Sequence, residues 1–496
     1  MAVPKVCGLE TEYGIVVVGA ENNPVAASGV LINAYMAEIG RSTGFDVSEE
    51  SPGRDARMIH EVSVLDPDPE LESIPVNTML TNGARYYVDH AHPEMSTPEV
   101  RTALEAVCWD RAGEEILKRS MRAARSVLPE GAEIIVHKNN SDGKGNSYGC
   151  HENYLVDRAV PFGRIVFGIM SHFVTRQVMC GSGKVGSELL GTSADSVAFQ
   201  ISQRADFFEE EVGLETTVRR PIVNTRDEPH CDADRYRRLH VIAGDANMSE
   251  TSTFLKVATT AMVLSAVEDG FSDQIPIIAA PVPSIRTISR DPSLRATIEM
   301  LDGSRMSALD IQWTLFELVT DWHARHGGES VGEGVARRAL SEWEAVLTGL
   351  ESDPESVADR VDWVAKRRII DAYAARHDLA PTAARLRAID LQYHDLREGR
   401  CLADRAGLRR LIPESEVLTA VSAPPETTRA YFRGRCLDRY ADAVIAANWD
   451  SIVFDIGTDP LRRVPMPEPL RGTASLVANV IEESPTAADL IRRLAQ

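Results

Sequence analysis

The sequence lacks three features: a run of about 18 apolar residues, a Cys-x-x-Cys pair and a surplus of basic residues. Without such an apolar run, no transmembrane helix and no membrane partner are expected. The seven cysteines are scattered and odd in number, which is typical of reduced thiols in a cytoplasmic protein and not of a disulfide framework or zinc site. The net charge of −21 argues against a nucleic-acid partner, which would need a basic surface.

Two familiar catalytic motifs are also missing. The segment Cys180–Lys184 resembles a P-loop, but Val178 stands where the first glycine is required and Val185 replaces the Ser/Thr. Two Gly-x-Ser-x-Gly matches, at 145–149 and 328–332, lack the strand–turn–helix context of a nucleophile elbow. We expect no chemistry from either pattern.

The length of 496 residues suits one large domain with an appendage, or two to four domains. Strands with charged faces alternate with helices, and helices alone follow from about residue 304, which favours an α+β fold with a largely antiparallel sheet. We expect a catalytic domain at 1–424, with a long mobile loop at about 42–76, and a small C-terminal domain at 425–496 after the Pro424-Pro425 break. The nearly all-apolar stretch Thr251–Val267 predicts a core helix.

Other local expectations concern single elements. The N-terminus runs directly into an acidic strand pattern, so no signal peptide is predicted. The predicted elements are one strand over Val6–Val18, a strand at Trp449–Phe454, helices at 99–127, 304–326, 355–377 and 427–447, and a loop at 461–469.

The stretch Asn82–Glu99 contains the main candidate residues for a functional site. It opens on an Asn-Gly turn and continues as a short strand, in which Arg85, Tyr87 and Asp89 share one face because successive side chains alternate. The strand is expected to break at His92-Pro93, since proline lacks an amide donor. Glu94 then adds a second carboxylate.

A helix is expected to restart directly afterwards. Ser96 with Glu99 fits a capping box, and Thr97 as N-cap with Pro98 at the first helical position is the competing register. A helix N-terminus attracts phosphate, and carboxylates attract magnesium. An ordinary edge strand with a solvated charged face is the alternative reading.

Further strands carry similar faces. Glu10 and Glu12 share one face of the first strand, which is costly unless a cation compensates them. His151 shares a face with Asn153, and Arg238 with His240. If these faces converge on one side of the sheet, acids for metal and arginines for phosphate describe a Mg-nucleotide site.

At this point the sequence resembles the Pup ligase and depupylase family. The resemblance covers nearly the whole chain and is carried by GLETEYGI, NGARYYVDHAHPE, NNSDGKGNSYGCHENYLV, FVTRQVMCGSGKVG, PIVNTRDEPH, RYRRLHVIAGDANMSE and NWDSIVFD. Within it, VDHAHPE and the acidic segment Glu50–Arg57, ESPGRDAR, resemble the deamidase/depupylase branch. The resemblance implies a glutamine synthetase-like curved, largely antiparallel sheet that cradles Mg-ATP.

The resemblance also implies an activity. It implies hydrolysis of the C-terminal glutamine side-chain amide of the protein modifier Pup and cleavage of Pup–lysine isopeptide bonds. The implied partners are Pup and pupylated proteins, with a link to the proteasome system, in the cytoplasm. ATP would act as an organising cofactor, because amide hydrolysis needs no phosphorylated intermediate.

The resemblance implies roles for individual residues as well. Asp89 is the expected catalytic carboxylate, either as a nucleophile or as a base on water. The expected metal ligands are Glu10, Tyr87, Glu94, Glu12 and His151. The expected nucleotide contacts are Arg85, Thr97, Trp449, Arg204, Arg226 and His240, with Arg204 and Arg226 serving phosphate or the developing oxyanion.

Two rival functions remain open from the sequence. One is a ligase that joins Pup to lysine, and the other is a non-catalytic Pup-binding regulator. The loop before the Asp89 strand is expected to act as a lid over the pocket.

Overall fold

The computed structural model describes residues 1–48, 50–57, 76–189 and 196–495. The strands in these residues are β1 (Cys7–Glu12), β2 (Gly14–Val18), β3 (Thr43–Phe45), β4 (Asn77–Met79), β5 (Arg85–Asp89), β6 (His92–Ser96), β7 (Glu133–His137), β8 (Cys150–Asp157), β9 (Lys184–Val185), β10 (Phe199–Gln200), β11 (Glu210–Gly213), β12 (Pro221–Asn224), β13 (Tyr236–Gly244), β14 (Thr297–Glu299), β15 (Arg305–Ser307), β16 (Val444–Ala447), β17 (Ser451–Phe454) and β18 (Arg462–Pro465). The helices are α1 (Pro24–Ile39), α2 (Ala103–Ala124), α3 (Phe162–Thr175), α4 (Gln177–Cys180), α5 (Glu250–Glu268), α6 (Pro281–Ser289), α7 (Ala308–His326), α8 (Glu333–Ser352), α9 (Asp362–His377), α10 (Ala384–Tyr393), α11 (Glu414–Ala420), α12 (Ala430–Arg439), α13 (Ala474–Glu482) and α14 (Ala487–Leu494).

Ten strands form the main sheet, in the order β13-β8-β1-β6-β5-β4-β3-β16-β17-β18. Every neighbouring pair is antiparallel except β3 with β16. The predicted α+β class with a largely antiparallel sheet is therefore confirmed. In the described ranges, no helix combines the length and the apolar character that crossing a membrane requires.

Among the described residues, helices cover one side of this sheet and leave the other side open. The predicted core helix is present as α5, and all its residues from Glu250 to Val267 are buried. It packs against α2, α3 and α8 and touches β8. On β1, Cys7, Leu9 and Thr11 are buried, whereas Glu10 and Glu12 are partly exposed. The alternation of the strand thus turns the two acids away from the helices.

The predicted helix start at Ser96–Glu99 is wrong. Ser96 ends β6, and the Thr97 amide donates to the Leu9 carbonyl at 2.8 Å, which continues pairing with β1. Helix α2 begins at Ala103, where the Thr102 side chain caps the Glu105 amide. The Thr97 amide is thus hydrogen-bonded to β1, and neither of the two predicted helix starts forms. Thr97 therefore lies on extended backbone and not at a phosphate-binding helix N-terminus.

The predicted break at His92-Pro93 is also displaced. The chain turns at His90, which has φ +52°, and Pro93 lies within β6 opposite Val88. The Pro93 carbonyl accepts from the Tyr13 amide, just beyond the last β1–β6 pair, Glu12–Glu94. Proline is tolerated there because its missing donor faces the position where β1 has ended.

Several other predicted boundaries differ because long-range pairing overrides local pattern. The strand predicted at 6–18 splits at Tyr13, and β2 leaves the main sheet to pair with β7. The helices predicted at 304–326 and 355–377 begin later, as α7 and α9. The helix predicted at 427–447 ends at Arg439 and is followed by β16, and the predicted loop at 461–469 contains β18.

The C-terminal segment has its own apolar cluster, formed by Phe432, Cys436, Phe454, Ile481 and Leu490 among others. Its strands nevertheless continue the main sheet through β16. The division at residue 425 stays a prediction. The expected loop at 42–76 includes β3, and its residues 49 and 58–75 lie outside the described residues.

Glu99, which lies between β6 and α2, forms ion pairs with two arginines of this C-terminal segment. It accepts from Arg429 Nε at 2.7 Å and from Arg433 Nη1 at 3.0 Å. Burial opposes its ionisation, but the charges of Arg433 and Arg429 outweigh burial and lower the pKa of Glu99 to about 2. The side chain of Arg433 is fully buried.

We predict that Glu99→Gln lowers the free energy of unfolding by about 3–5 kcal/mol at pH 7, because two buried arginines lose their counter-charge. A glutamate with a lowered folded pKa stabilises above its usual value near 4.5, and this contribution is lost as pH falls towards 2. Urea denaturation across this range should therefore show the variant and wild type converging. Glu483→Gln, which breaks the exposed Glu483–Arg493 pair, is the control and should change stability by less than about 1 kcal/mol. An equal effect of both variants would contradict the prediction.

Candidate active site

The open face of the main sheet gathers the polar side chains. Residues directly opposite each other in antiparallel strands point to the same face. The opposed pairs are Glu10–Ser96, Glu10–His151, Glu12–Glu94, Tyr87–Glu94, Arg85–Ser96, Asp89–His92 and His240–Asn153.

Glu12, Asp89 and Glu94 form one cluster, which we call the carboxylate cluster. One oxygen from each lies within 4.8 Å of the others. Burial, together with the charges of Asp89, Glu12 and Glu10, raises the pKa of Glu94 well above its usual range. Three carboxylates that repel each other in a half-buried site are stabilised by a hard cation with oxygen ligands, such as magnesium.

Glu10, His151 and His240 form a second group within the same distance limit. The Asn153 amide donates to Glu10 Oε1 at 2.7 Å, and Arg238 Nη1 lies 3.6 Å from the same oxygen. Burial opposes ionisation of Glu10, but the His151 hydrogen bond and the charges of His240 and Arg238 hold its pKa well below its usual range. Glu10 is therefore an ionised carboxylate that faces nitrogen donors.

Asp89 ends β5, immediately before the turn at His90. Its Oδ2 lies 3.0 Å from His90 Nδ1. Burial opposes its ionisation, but the hydrogen bond and charge of His90 and the charges of His151 and Arg85 lower the pKa of Asp89. Asp89 is ionised at neutral pH, and its side chain remains 39% exposed.

Three adjoining cavities meet along this face. The polar cavity encloses about 880 Å³ and is lined by Glu10, Glu50, Arg85, Tyr87, Asp89, Glu94, His151, Arg226, Arg238, His240 and Trp449, among others. The apolar cavity adjoins it and includes Gly8, Leu9, Thr97, Tyr154, Leu155, Pro229 and Trp449. The wide cavity lies on the other side and includes Glu12, Asp89, His90, Tyr148, His151, Arg204, Thr216 and Arg220. Asp89 lines both the polar and the wide cavity.

The structure brings the predicted residues together with two qualifications. Thr97 lines the apolar cavity, where its hydroxyl accepts from the Leu9 amide at 3.0 Å. Arg204 and Glu12 line the wide cavity and not the polar one. The other predicted residues line the polar cavity.

Sequence reasoning assigned no site role to several lining residues, among them Arg238, His230 and Asn153. Arg238 lines the polar cavity and donates to Asn153 Oδ1 at 2.6 Å, and His230 lines the cavity as well. The signal for Arg238 was its position two residues before His240 on the same strand face. Asn153 carries the same signal relative to His151, whereas His230 lies in a loop for which strand periodicity gives no guidance.

The described part of the expected lid, Glu50–Arg57, docks beside the polar cavity. Glu50 pairs with Arg85 at 3.1 Å, and the Ser51 amide donates to Glu228. Arg54 and Ala56 make backbone hydrogen bonds to the segment around Thr225. Glu50 itself lines the cavity. A gating function stays a prediction.

The whole chain is similar in sequence to known proteins of one family. The family described as Pup-ligase protein matches residues 5–453. The chain belongs to the Pup-ligase family. It is 48% identical to a protein named depupylase from Acidothermus cellulolyticus and 45% identical to the Pup deamidase/depupylase of Mycobacterium tuberculosis, each over 99% of both chains. It is 40% identical to the Pup–protein ligase of Nakamurella multipartita over 82% of this chain and 90% of that protein.

Two solved structures of this family match the fold. The complex between Pup and its ligase PafA matches with a TM-score of 0.80 and 32% identity, over 97% of this chain and 92% of that one. The ligase PafA in complex with ADP matches with a TM-score of 0.74 and 36% identity, over 82% and 89%. This likeness confirms the expected glutamine synthetase-like fold with its curved sheet.

We predict that the carboxylate cluster binds magnesium. Glu94→Gln should weaken magnesium binding by at least about tenfold, because one charged oxygen ligand is lost. In EDTA the variant should be no less stable than wild type, because the substitution removes a carboxylate that repels its neighbours. Thermal denaturation with and without magnesium measures both effects. Glu211→Gln, at an exposed position on β11, is the control, and an equal magnesium response in both variants would contradict the site.

Proposed function

We propose that this protein hydrolyses the side-chain amide of the C-terminal glutamine of Pup and cleaves isopeptide bonds between Pup and lysines of target proteins. The chain is thus an amidohydrolase. The observation that carries the proposal is the 45–48% identity to proteins named depupylase or Pup deamidase/depupylase across 99% of both chains. Both reactions break an amide at the same side-chain carbonyl, so one site can serve both. Pup and pupylated proteins are the proposed partners, in the cytoplasm and linked to the proteasome system.

Two observations favour hydrolysis over ligation. The identity to a Pup–protein ligase is lower, 40%, and covers 82% of this chain. The segment Glu50–Arg57, which resembles the deamidase/depupylase branch, docks against Arg85 and Glu228 at the cavity edge. An ionised Asp89 beside two further acids disfavours a non-catalytic binding role, which would have no use for such a costly cluster.

The cavities fit ATP with magnesium. The donor set supports this fit, because three mutually repelling carboxylates offer oxygen ligands for a hard cation and the adjoining cavity is apolar enough for a base. We assign the metal to Glu10, Tyr87, Glu94 and Glu12 with His151 beside them, and the nucleotide to Arg85, Thr97, Trp449, Arg226 and His240. When bound, the metal ion would supply positive charge to the carboxylates, and the nucleotide would order the cavity around it. A related ligase binds ADP in its solved structure, which supports a nucleotide here.

Asp89 is the proposed nucleophile. Its carboxylate attacks the amide carbonyl carbon, the C–N bond breaks, and ammonia or the lysine amine leaves with a proton. His90 can supply this proton, because its hydrogen bond to Asp89 and the charge of Asp89 raise the pKa of His90. Water then hydrolyses the resulting anhydride and restores Asp89. The lowered pKa of Asp89 supports this route over general-base catalysis, which works best with a pKa near the working pH.

We expect Asp89→Asn to lower ammonia release from Gln-ended Pup by about 10⁴-fold, because the attacking carboxylate is lost. Calorimetry should find ATP binding largely intact. Asp371→Asn, which changes an exposed carboxylate on α9, is the matched control and should keep full activity. ATP-dependent formation of Pup conjugates by the wild type, without ammonia release, would favour the ligase instead. Tight Pup binding with neither activity would favour a regulator.

A trapping experiment separates the two roles of Asp89. Hydroxylamine added during turnover should convert the anhydride to a hydroxamate, part of it on Asp89 itself. Mass spectrometry of the peptide that contains Asp89 would detect it. If Asp89 acts only as a base on water, its carbonyl is never activated, and the peptide would stay unmodified at every hydroxylamine concentration.

A further inference from the structure

The wide cavity contains two arginines that differ from the other buried arginines of this protein. Arg204 is 1% exposed, and its Nη1 donates to the Tyr148 carbonyl at 2.5 Å. Arg220 donates from Nε to the Thr216 carbonyl at 2.8 Å and from Nη2 to the Ser147 carbonyl at 3.0 Å. Every one of these acceptors is a neutral backbone oxygen.

Among the described residues, neither arginine has a carboxylate within ion-pair distance, and Arg204 Nε has no hydrogen-bond partner. Buried arginines elsewhere are paired, as Arg176 is with Glu152 at 2.6 Å. Burial and the charge of Arg220 lower the pKa of Arg204 to about 10, although the charges of Glu12 and Asp245 oppose this shift. A buried cation without a counter-charge is costly unless an anion completes the site.

The remaining charged groups of this cavity do not fill that role. Glu12 accepts from the Gly149 amide at 2.9 Å and belongs to the carboxylate cluster. Asp142 is held by its own turn, where it accepts from the Lys144 and Asn146 amides. Lys144 adds another positive charge to the cavity lining. The wide cavity therefore offers a positively charged subsite, lined by Arg204 and Arg220, in the same cavity as Asp89.

The proposed substrate brings one fixed anion to this place. A C-terminal glutamine carries a free α-carboxylate about 5 Å from its side-chain amide carbon, four bonds of ordinary length away. When that carbon contacts Asp89, the α-carboxylate must lie in one of the cavities that Asp89 lines. The polar cavity is already rich in acids, and the wide cavity contains the unpaired arginines.

We propose that Arg204 and Arg220 form the subsite for the free α-carboxylate of the residue whose side-chain amide is hydrolysed. The inference rests on the proposed function and deepens it. The two arginines bind through charge-assisted hydrogen bonds that only a terminal residue can accept, since an internal glutamine has a neutral amide there. The pair thus restricts hydrolysis to a chain end and places the amide carbon at Asp89.

The test compares two synthetic Pup C-terminal segments, one ending in glutamine with a free α-carboxylate and one ending in glutamine α-carboxamide. Wild type should release side-chain ammonia from the free acid with kcat/KM roughly 10- to 100-fold higher, the effect of one or two charge-assisted hydrogen bonds. In Arg204→Gln and Arg220→Gln this preference should largely disappear, because the free acid loses rate and the carboxamide does not. Arg220→Lys should restore part of it.

The controls separate the possible failures. Arg219→Gln, beside Arg220 and exposed, should keep the wild-type preference. Equal loss on both substrates in Arg220→Gln, with the preference retained, would overturn the subsite and leave a structural role. Loss of ATP affinity by calorimetry with the preference retained would overturn it in favour of a phosphate contact.

If Arg204→Gln does not fold, as judged by circular dichroism, the variants of the half-exposed Arg220 provide the same comparison. Absence of hydrolysis of both segments by wild type would instead contradict the proposed function.

Discussion

Mutual repulsion among Glu12, Asp89 and Glu94 is the constraint around which the open face of the sheet is built. The pairing of β1, β6 and β5 brings these acids within 4.8 Å of one another. The free energy that the fold loses there must be recovered by a bound cation or by packing elsewhere. The opposite face of the same strands supplies that packing, since Cys7, Leu9 and Tyr86 are almost fully buried.

The two sides of the main sheet carry different kinds of ionic interaction. Behind it, Glu152 alternates with His151 and forms a buried pair with Arg176, which satisfies both charges. On the open side, Glu10 and Arg238 remain 3.6 Å apart, and Arg204 and Arg220 have only backbone acceptors among the described residues. The charges behind the sheet are thus paired with each other, whereas the open face combines paired charges, such as Glu50 with Arg85, with two arginines that have only backbone acceptors.

Asp89 lines both the polar and the wide cavity, so different ligands can reach it from two sides. The polar and apolar cavities on one side suit a nucleotide with its metal. The wide cavity on the other side suits the chain end whose amide is broken. A carboxylate that is ionised, partly exposed and followed by a tight turn at His90 can reach a substrate from either side.

Strand periodicity in the sequence was sufficient to place Glu10 with Glu12, Arg85 with Tyr87 and Asp89, and Arg238 with His240 on common faces, because side-chain alternation is a local property. The family resemblance, carried by long motifs, supplied the fold class and the expected chemistry. The core helix α5 was equally evident from its unbroken apolar pattern.

The tertiary structure decided what depends on partners distant in the chain. Pairing with β1 kept Thr97 out of a helix, although its local pattern predicted a helix start, and pairing with β3 turned the end of a predicted helix into β16. It also placed Arg204 in a different cavity from Arg226, although both come from polar loops of similar composition. Backbone hydrogen bonds and shared cavities join residues tens to hundreds of positions apart, and local composition carries no record of which ones meet.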